Sequence, residues 1–285
     1  FTTSVVLLAA STSAFSLDIG SLLRRDAYNS TSTAPSGSCP PVWSSISHEL
    51  TTLFVSGGQC TDLARGAIRA VFHDCFPQGG CDGSLSLPEE LARPPNAALI
   101  GPVNTLKALA NKYGVSVADM IAFAGSHAVV SCPSGPVTTT YVGRKDSGIA
   151  APDGQLPPAD AGGDESLQHF EARGFSAQDL AALIGAHTAS RQFTTDPSKA
   201  GAPQDTTPGV WDVTYFVQTI KKLAPFTFVS DSNLAAQAEV GPVMKQFSGD
   251  KFGWDAAFTS AFGRMQLLDT AGAGALIDCT SALPK

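Results

Sequence analysis

The stretch RAVFHDCFPQGGCDGSL, residues 69–85, sets an arginine, a histidine, two aspartates and two cysteines within fourteen positions. On a helix, Arg69 and His73 stand four apart and project from one face, about 40° apart around the axis, while Asp74 is turned about 100° further away. One face therefore offers a permanent cation beside a titratable base. Asp74 points instead toward the following loop, where Gly80, Asp82 and Ser84 supply carbonyl, carboxylate and hydroxyl oxygens. That mixture suits calcium, a hard cation that takes about 6 to 8 oxygen ligands. Cys75 and Cys81 can close the short loop between them. Zinc is discounted, because these cysteines lack the tight C-x-x-C spacing and lie in a chain expected to oxidise them. The ordinary reading of an Arg/His pair at this spacing is a solvated helix face. The apolar neighbours Ala70 and Phe72, with the acidic loop immediately after, favour a site instead.

A second stretch, DLAALIGAHTASRQF at residues 179–193, carries His187 after an apolar helical run and just before Thr188. Downstream lies QDTTPGVWD, residues 204–212, another loop with two aspartates and two threonines. A lone histidine on an apolar helix is more often a satisfied core residue than a ligand. Two histidines, each followed by an oxygen-rich loop, point to two helices pinned by ions that present one imidazole apiece to a shared cleft.

The surrounding chain fixes the setting. The opening FTTSVVLLAASTSAFS has the short apolar core and small-residue end of a secretory signal, and Arg24 and Arg25 fit a dibasic processing site. Residues 1–25 are therefore excluded from the fold; with no initiator methionine, the sequence is expected to begin inside a precursor. The apolar run is shorter than the roughly 20 residues a membrane span takes. Residues 26–38 form a Ser/Thr-rich lead with a glycosylation sequon at Asn29. Six cysteines in a secreted chain read as three disulfides, with about 15 pairings open. A net charge of -7 and a pI near 5.1 argue against nucleic acid, whose phosphates demand a basic face.

Most long segments place apolar residues three and four apart. These are 48–54, 61–76, 96–113, 116–130, 164–174, 176–193, 214–222, 233–247 and 253–268. Ser116 and Ser176 stand where helix caps belong, three residues ahead of Asp119 and Asp179. Strand signals are sparse: VTTTYVGRKD (137–146) and APFTFVS (224–230) suit short ribbons. The Pro/Gly-rich stretch 151–164 marks a domain junction. The fold class is thus mainly helical, all-α with minimal β.

With these residues in hand, the sequence resembles the plant peroxidase superfamily of haem proteins, and within it the secreted fungal (class II) branch. The motifs that carry the likeness are R-x-x-F-H-D-C followed by G-x-D-G-S (Arg69, Phe72, His73, Asp74, Cys75, Gly80, Asp82, Ser84), then G-A-H-T and D-T-T-P-G-V-W-D. The stretches ADMIAFAGSHAVVSCPSGP and VGRKD also fit, so the likeness runs from about Cys39 to Cys279. It implies a two-domain helical fold with haem b between a distal domain, 39–153, and a proximal domain, 154–285. It implies that His73 is the distal base, that Arg69 stabilises charge as the peroxide bond breaks, that Asn96 fixes the tautomer of His73, and that Phe72 packs over the haem. His187 would be the iron ligand and Asp231 the acceptor of its other N–H. Two calcium ions are implied: a distal one held by Asp74, Gly80, Asp82 and Ser84, with the Pro77 carbonyl, and a proximal one held by Thr188, Asp205, Thr207, Val210 through its carbonyl, and Asp212. Bridges Cys39–Cys279 and Cys60–Cys132 match the fungal branch, whereas Cys75–Cys81 resembles a bridge of the plant secreted branch.

Departures from the pattern narrow the substrate. Ala182 stands where lignin and versatile peroxidases carry an exposed tryptophan, and the positions matching the manganese carboxylates are Asp62, Gly66 and Phe193. Gln204 replaces a common proximal aromatic. His127 reads as a core residue, His48 and His169 as solvated, and Trp43, Trp211, Trp254 and the tyrosines, Tyr215 among them, as packing. The resulting expectation is a secreted, monomeric haem peroxidase that takes hydrogen peroxide and small aromatic reductants and binds neither nucleic acid nor membrane. The alternative is a non-catalytic secreted scaffold of the same fold that binds calcium and haem without turnover.

Overall fold

The computed structural model describes residues 37–285; the expected signal segment, the sequon at Asn29 and nearly all of the Ser/Thr-rich lead lie outside them. The described chain is all-α. Helix α1 (Val42–Phe54) is followed by a short antiparallel ribbon of β1 (Val55–Ser56) and β2 (Gln59–Cys60), then α2 (Asp62–Cys75), α3 (Pro88–Leu91), α4 (Ile100–Tyr113) and α5 (Val117–Ser131). After β3 (Tyr141–Val142) come α6 (Gly163–Ala172), α7 (Ala177–Ile184), α8 (Thr214–Lys221), α9 (Val229–Ala236), α10 (Val240–Phe247) and α11 (Lys251–Met265). The strand β4 (Ile277–Asp278) returns to pair with β3.

Helix α2 forms because its ends and its face agree. Thr61 caps it by accepting the Ala64 N–H at 3.3 Å, Asp62 sits at the positive end of the dipole, and Ala64, Ala67, Ile68, Val71 and Cys75 make one buried stripe. That stripe packs on α5, which is buried along nearly its whole length. Both expected serine caps form: Ser116 accepts from Asp119 N–H at 3.1 Å, and Ser176 with Asp179 makes a reciprocal box on α7. The VGRKD segment braces the start of α5. Asp146 accepts the N–H groups of Val117 and Ala118, while Arg144 pairs with the buried Asp119 at 3.1 Å. Helices α1, α2, α4 and α5 pack mainly on one another, and α6 to α11 do the same around the stacked indoles of Trp211 and Trp254, 4.9 Å apart.

Three disulfides close: Cys39–Cys279, Cys60–Cys132 and Cys75–Cys81, the pairings that the family resemblance implied. Three expectations are corrected. The run 176–193 is not one helix, because α7 stops at Ile184 and the chain tightens into a 3-10 turn over Gly185–Ala189. The run 233–247 is two helices, since Pro242 cannot continue an incoming helix and the Gln237 side chain caps the next by accepting from Glu239 and Val240 N–H, both at 2.7 Å. APFTFVS holds no strand; it leads into α9, and the partner of β3 comes from residues 277–278. Among the described residues, no single helix is long and apolar enough to cross a membrane.

Candidate active site

The last turns of α2 present Arg69 and His73 as the helical spacing requires. Arg69 Nε donates to His73 Nε2 at 3.0 Å, and its Nη2 is anchored on the Pro95 carbonyl at 2.9 Å. A guanidinium can only donate, so His73 Nε2 is the unprotonated nitrogen. The proton therefore sits on Nδ1, which donates to Asn96 Oδ1 at 2.7 Å, and Asn96 is itself fixed by donating to the Glu90 carbonyl at 2.9 Å. His73 and Asn96 are both buried. Burial first, then the charge of Arg69, hold the pKa of His73 down at about 3. Arg69, lowered by burial to about 10, stays cationic at neutral pH. The arrangement is a neutral base with its lone pair turned toward a fixed positive charge. Phe72, half-buried, stands edge-on to His73 and stacks on Phe170, with ring centroids 5.7 and 5.9 Å apart.

His187 lies in the 3-10 turn after α7. Its Nδ1 is 3.1 and 3.2 Å from the two oxygens of Asp231, a fully buried residue in the first turn of α9. Among the described residues Nε2 carries no hydrogen bond, so the free lone pair of this imidazole belongs to that atom. Tyr215 of α8 and Phe228 flank His187, with centroids 5.7 and 5.5 Å from its ring. A free lone pair on His187, backed by a carboxylate, fits a haem iron, and an unprotonated His73 Nε2 engaged by a guanidinium fits a base for its peroxide substrate.

The oxygen-rich loops also assemble. Asp74 is fully buried and accepts from Gly83 and Leu85 N–H at 3.1 and 3.2 Å, yet burial pushes its pKa up to about 8. Asp82 accepts from Ser84 N–H at 3.0 Å, and Ser84 Oγ is buried with no hydrogen-bond partner among the described residues. Gly80 has φ of 68° and a Cβ there would fall 2.0 Å from the Leu268 carbonyl oxygen, so only glycine places this carbonyl. The Pro77 carbonyl accepts from Gly80 N–H and from Arg173. In the second loop Thr188 Oγ1 lies 2.6 Å from Asp205 and 3.4 Å from Asp212, Thr207 N–H donates to Asp205 at 2.8 Å, and Val210 N–H closes the turn on the Thr207 carbonyl. Burial raises Asp205 to about 6, and Asp212 adds to that rise. Buried carboxylates that resist ionisation and an orphaned hydroxyl fit a hard cation. No group of three or more His, Cys, Asp or Glu side chains converges among the described residues, so carbonyls and hydroxyls would have to complete either site.

His127 is a core residue, bonded to Ser47, Thr51 and Ser131. His48 is exposed, whereas His169 is half-buried rather than fully solvated. Ala182, at the position where lignin and versatile peroxidases are expected to carry an exposed tryptophan, is fully buried in this chain. Asp62 pairs with Arg65 at 2.6 Å and lies 3.6 Å from Arg191, and Gly66 abuts Pro102. Gln204 is buried and accepts the Ser190 hydroxyl. Sequence reasoning missed the carbonyls of Glu90 and Pro95, which orient Asn96 and Arg69, and the place of Tyr215 beside His187. The carbonyls leave no sequence signal, and Tyr215 falls in an apolar helical pattern that reads as packing.

The peroxidase family model matches residues 42–250. A low-redox potential peroxidase of Taiwanofungus camphoratus is 32% identical over 262 residues, covering 85% of this chain and 77% of that protein. Ligninase LG5 of Phanerodontia chrysosporium is 32% identical over 80% of this chain and 65% of its own length, and manganese peroxidase 3 of Phlebia radiata is 29% identical over 80% and 72%. The chain belongs to the peroxidase family, as a haem peroxidase of the fungal class II branch of the plant peroxidase superfamily.

Proposed function

We propose that the chain is a secreted enzyme that holds haem b between a distal domain, 39–153, and a proximal domain, 154–285, reduces hydrogen peroxide, and oxidises small phenolic or other aromatic donors in one-electron steps at the haem edge. The observation that carries this reading is the Arg69–His73–Asn96 chain together with the His187–Asp231 pair. Bound haem would supply the iron that exchanges electrons with peroxide and donor. His187 offers Nε2 as the iron ligand, and Asp231, by accepting the proton side of the ring, makes the imidazole more electron-donating. His73 Nε2 takes the proton from one peroxide oxygen and returns it to the other, which leaves as water. Arg69 stabilises the negative charge that builds on the departing oxygen. Asn96 keeps the His73 proton on Nδ1, so the basic nitrogen always faces the substrate.

The ions in this reading are structural calcium, one with Asp74, Gly80, Asp82 and Ser84, the other with Thr188, Asp205, Thr207, Val210 and Asp212. Each orders the segment next to one histidine. Donors are restricted to those that reach the haem edge. Ala182 is buried and offers no surface indole, and Asp62 is engaged by two guanidinium groups, with no carboxylate at Gly66 or Phe193 to help it hold manganese. The name of the Taiwanofungus relative, a low-redox potential peroxidase, agrees with that donor range. The protein would act as a monomer after removal of residues 1–25.

An optical spectrum of the purified protein, recorded before and after one equivalent of hydrogen peroxide and then after a phenol, tests this reading. The expected result is a histidine-ligated ferric band that changes with peroxide and returns with the phenol. A protein that takes up no haem, or haem indifferent to peroxide, would replace this reading with the non-catalytic scaffold.

A further inference from the structure

Asp231 is fully buried, and among the described residues the only donor to its carboxylate is His187 Nδ1. A carboxylate offers about four acceptor positions, and a buried one short of donors is costly. Tyr215, also fully buried, sets its ring edge-on to His187 at 5.7 Å, and among the described residues its hydroxyl has no hydrogen-bond partner. One turn further along α8, Thr219 Oγ1 is buried and equally unpartnered among the described residues. A carboxylate short of donors and a phenol short of an acceptor thus flank the same imidazole. The hydroxyl stands outside hydrogen-bonding geometry, and burial first, with Asp231 next, raises the phenol pKa well above its ordinary value. A phenol O–H donates and a carboxylate only accepts, so a bond between these two groups would satisfy both.

We propose that the Tyr215 hydroxyl is the second donor to Asp231, and that by sharing this carboxylate with His187 it limits how strongly the imidazole donates electrons. Thr219 Oγ1 supports the phenol oxygen from the other side. Each donor to a carboxylate takes part of its charge, so with Tyr215 engaged Asp231 pulls less on the His187 proton. Removing the hydroxyl leaves the whole charge to His187, which then favours the ferric state of a bound haem. This redox consequence rests on the haem reading, whereas the hydrogen bond itself does not. Tyr215 is a positioning residue in this scheme, because it acts through Asp231.

Two measurements test the proposal. In the haem-free protein, proton NMR should find a slowly exchanging hydroxyl proton that is lost in Tyr215→Phe and moves upfield in Asp231→Asn. In the haem-loaded protein, spectroelectrochemistry should find the ferric-to-ferrous equilibrium of Tyr215→Phe shifted toward ferric by about 2- to 10-fold, the worth of one hydrogen bond. The shift should vanish when the same substitution is made in Asp231→Asn, and Thr219→Val should give a smaller shift in the same direction. Absence of a protected hydroxyl proton, or an equal shift in the Asp231→Asn background, overturns the proposal. A protected proton in a protein that takes up no haem supports the bond and sinks the haem reading instead.

Discussion

At the scale of single residues, the proposed chemistry rests on which nitrogen of His73 carries the proton, and two neighbours on opposite sides of the ring decide it. Replacing His73 by alanine removes the base while leaving Arg69 and His187 in place. The reaction with peroxide should slow by about 10² to 10⁴-fold or more with haem still bound, as stopped-flow spectra would record. Unchanged peroxide reactivity would remove the residue from the mechanism. The same histidine sets an acid limit. With its pKa held at about 3, the base stays unprotonated across the mildly acidic range, and the peroxide step should lose half its rate only near that pH. Stability follows a different window. An unfolded histidine titrates near 6.5, so between that pH and about 3 the unfolded chain binds the extra proton and the native state loses stability as pH falls. Melting temperatures of the His73→Ala protein should therefore decline less between pH 6.5 and pH 4 than those of the parent. The side chains behind these predictions were legible in the sequence because titratable groups at helical spacing are rare enough to stand out. Their supports were not, since the Glu90 and Pro95 carbonyls belong to a group every residue has.

At the scale of elements, the loop after α2 is held by its backbone as much as by its side chains. Gly80→Ala places a methyl group 2.0 Å from the Leu268 oxygen at a φ of 68°, so either the loop or the α11 end must move. A loss of about 1 to 3 kcal/mol is expected from the strained backbone alone, measurable by urea unfolding. Chelation should act on the same loop: EGTA treatment should lower the melting temperature and calcium should restore it, whereas an indifferent protein would take calcium out of the proposal. Helices α2 and α5 were readable because cap, period and burial agree. The run through His187 was misread as helix because what ends it is distant: Thr188 is drawn to Asp205 and Asp212, contacts that local periodicity does not contain. The break before α10 had a local sign in Pro242, which the apolar spacing on either side outweighed.

At the scale of the whole molecule, the three disulfides differ most in how much chain they close. Cys39–Cys279 spans 240 residues and ties the start of α1 to the chain end, Cys60–Cys132 spans 72, and Cys75–Cys81 spans 6. On the loop-entropy account, closing the longest loop restricts the unfolded chain by roughly 5 kcal/mol and the shortest by roughly 2. Paired serine substitutions at Cys39 and Cys279 should therefore lower the urea midpoint more than paired substitutions at Cys75 and Cys81, with haem uptake measured alongside. The short bridge should have the larger local effect, because it closes the turn that carries Asp82 and Ser84 directly after Asp74. Its loss should weaken calcium retention at a small cost in global stability, and the long bridge should behave in the opposite sense. If both pairs cost the same stability and neither altered calcium retention, chain restriction would not be what separates their roles. Strain relieved or added in the native state would then have to account for the difference.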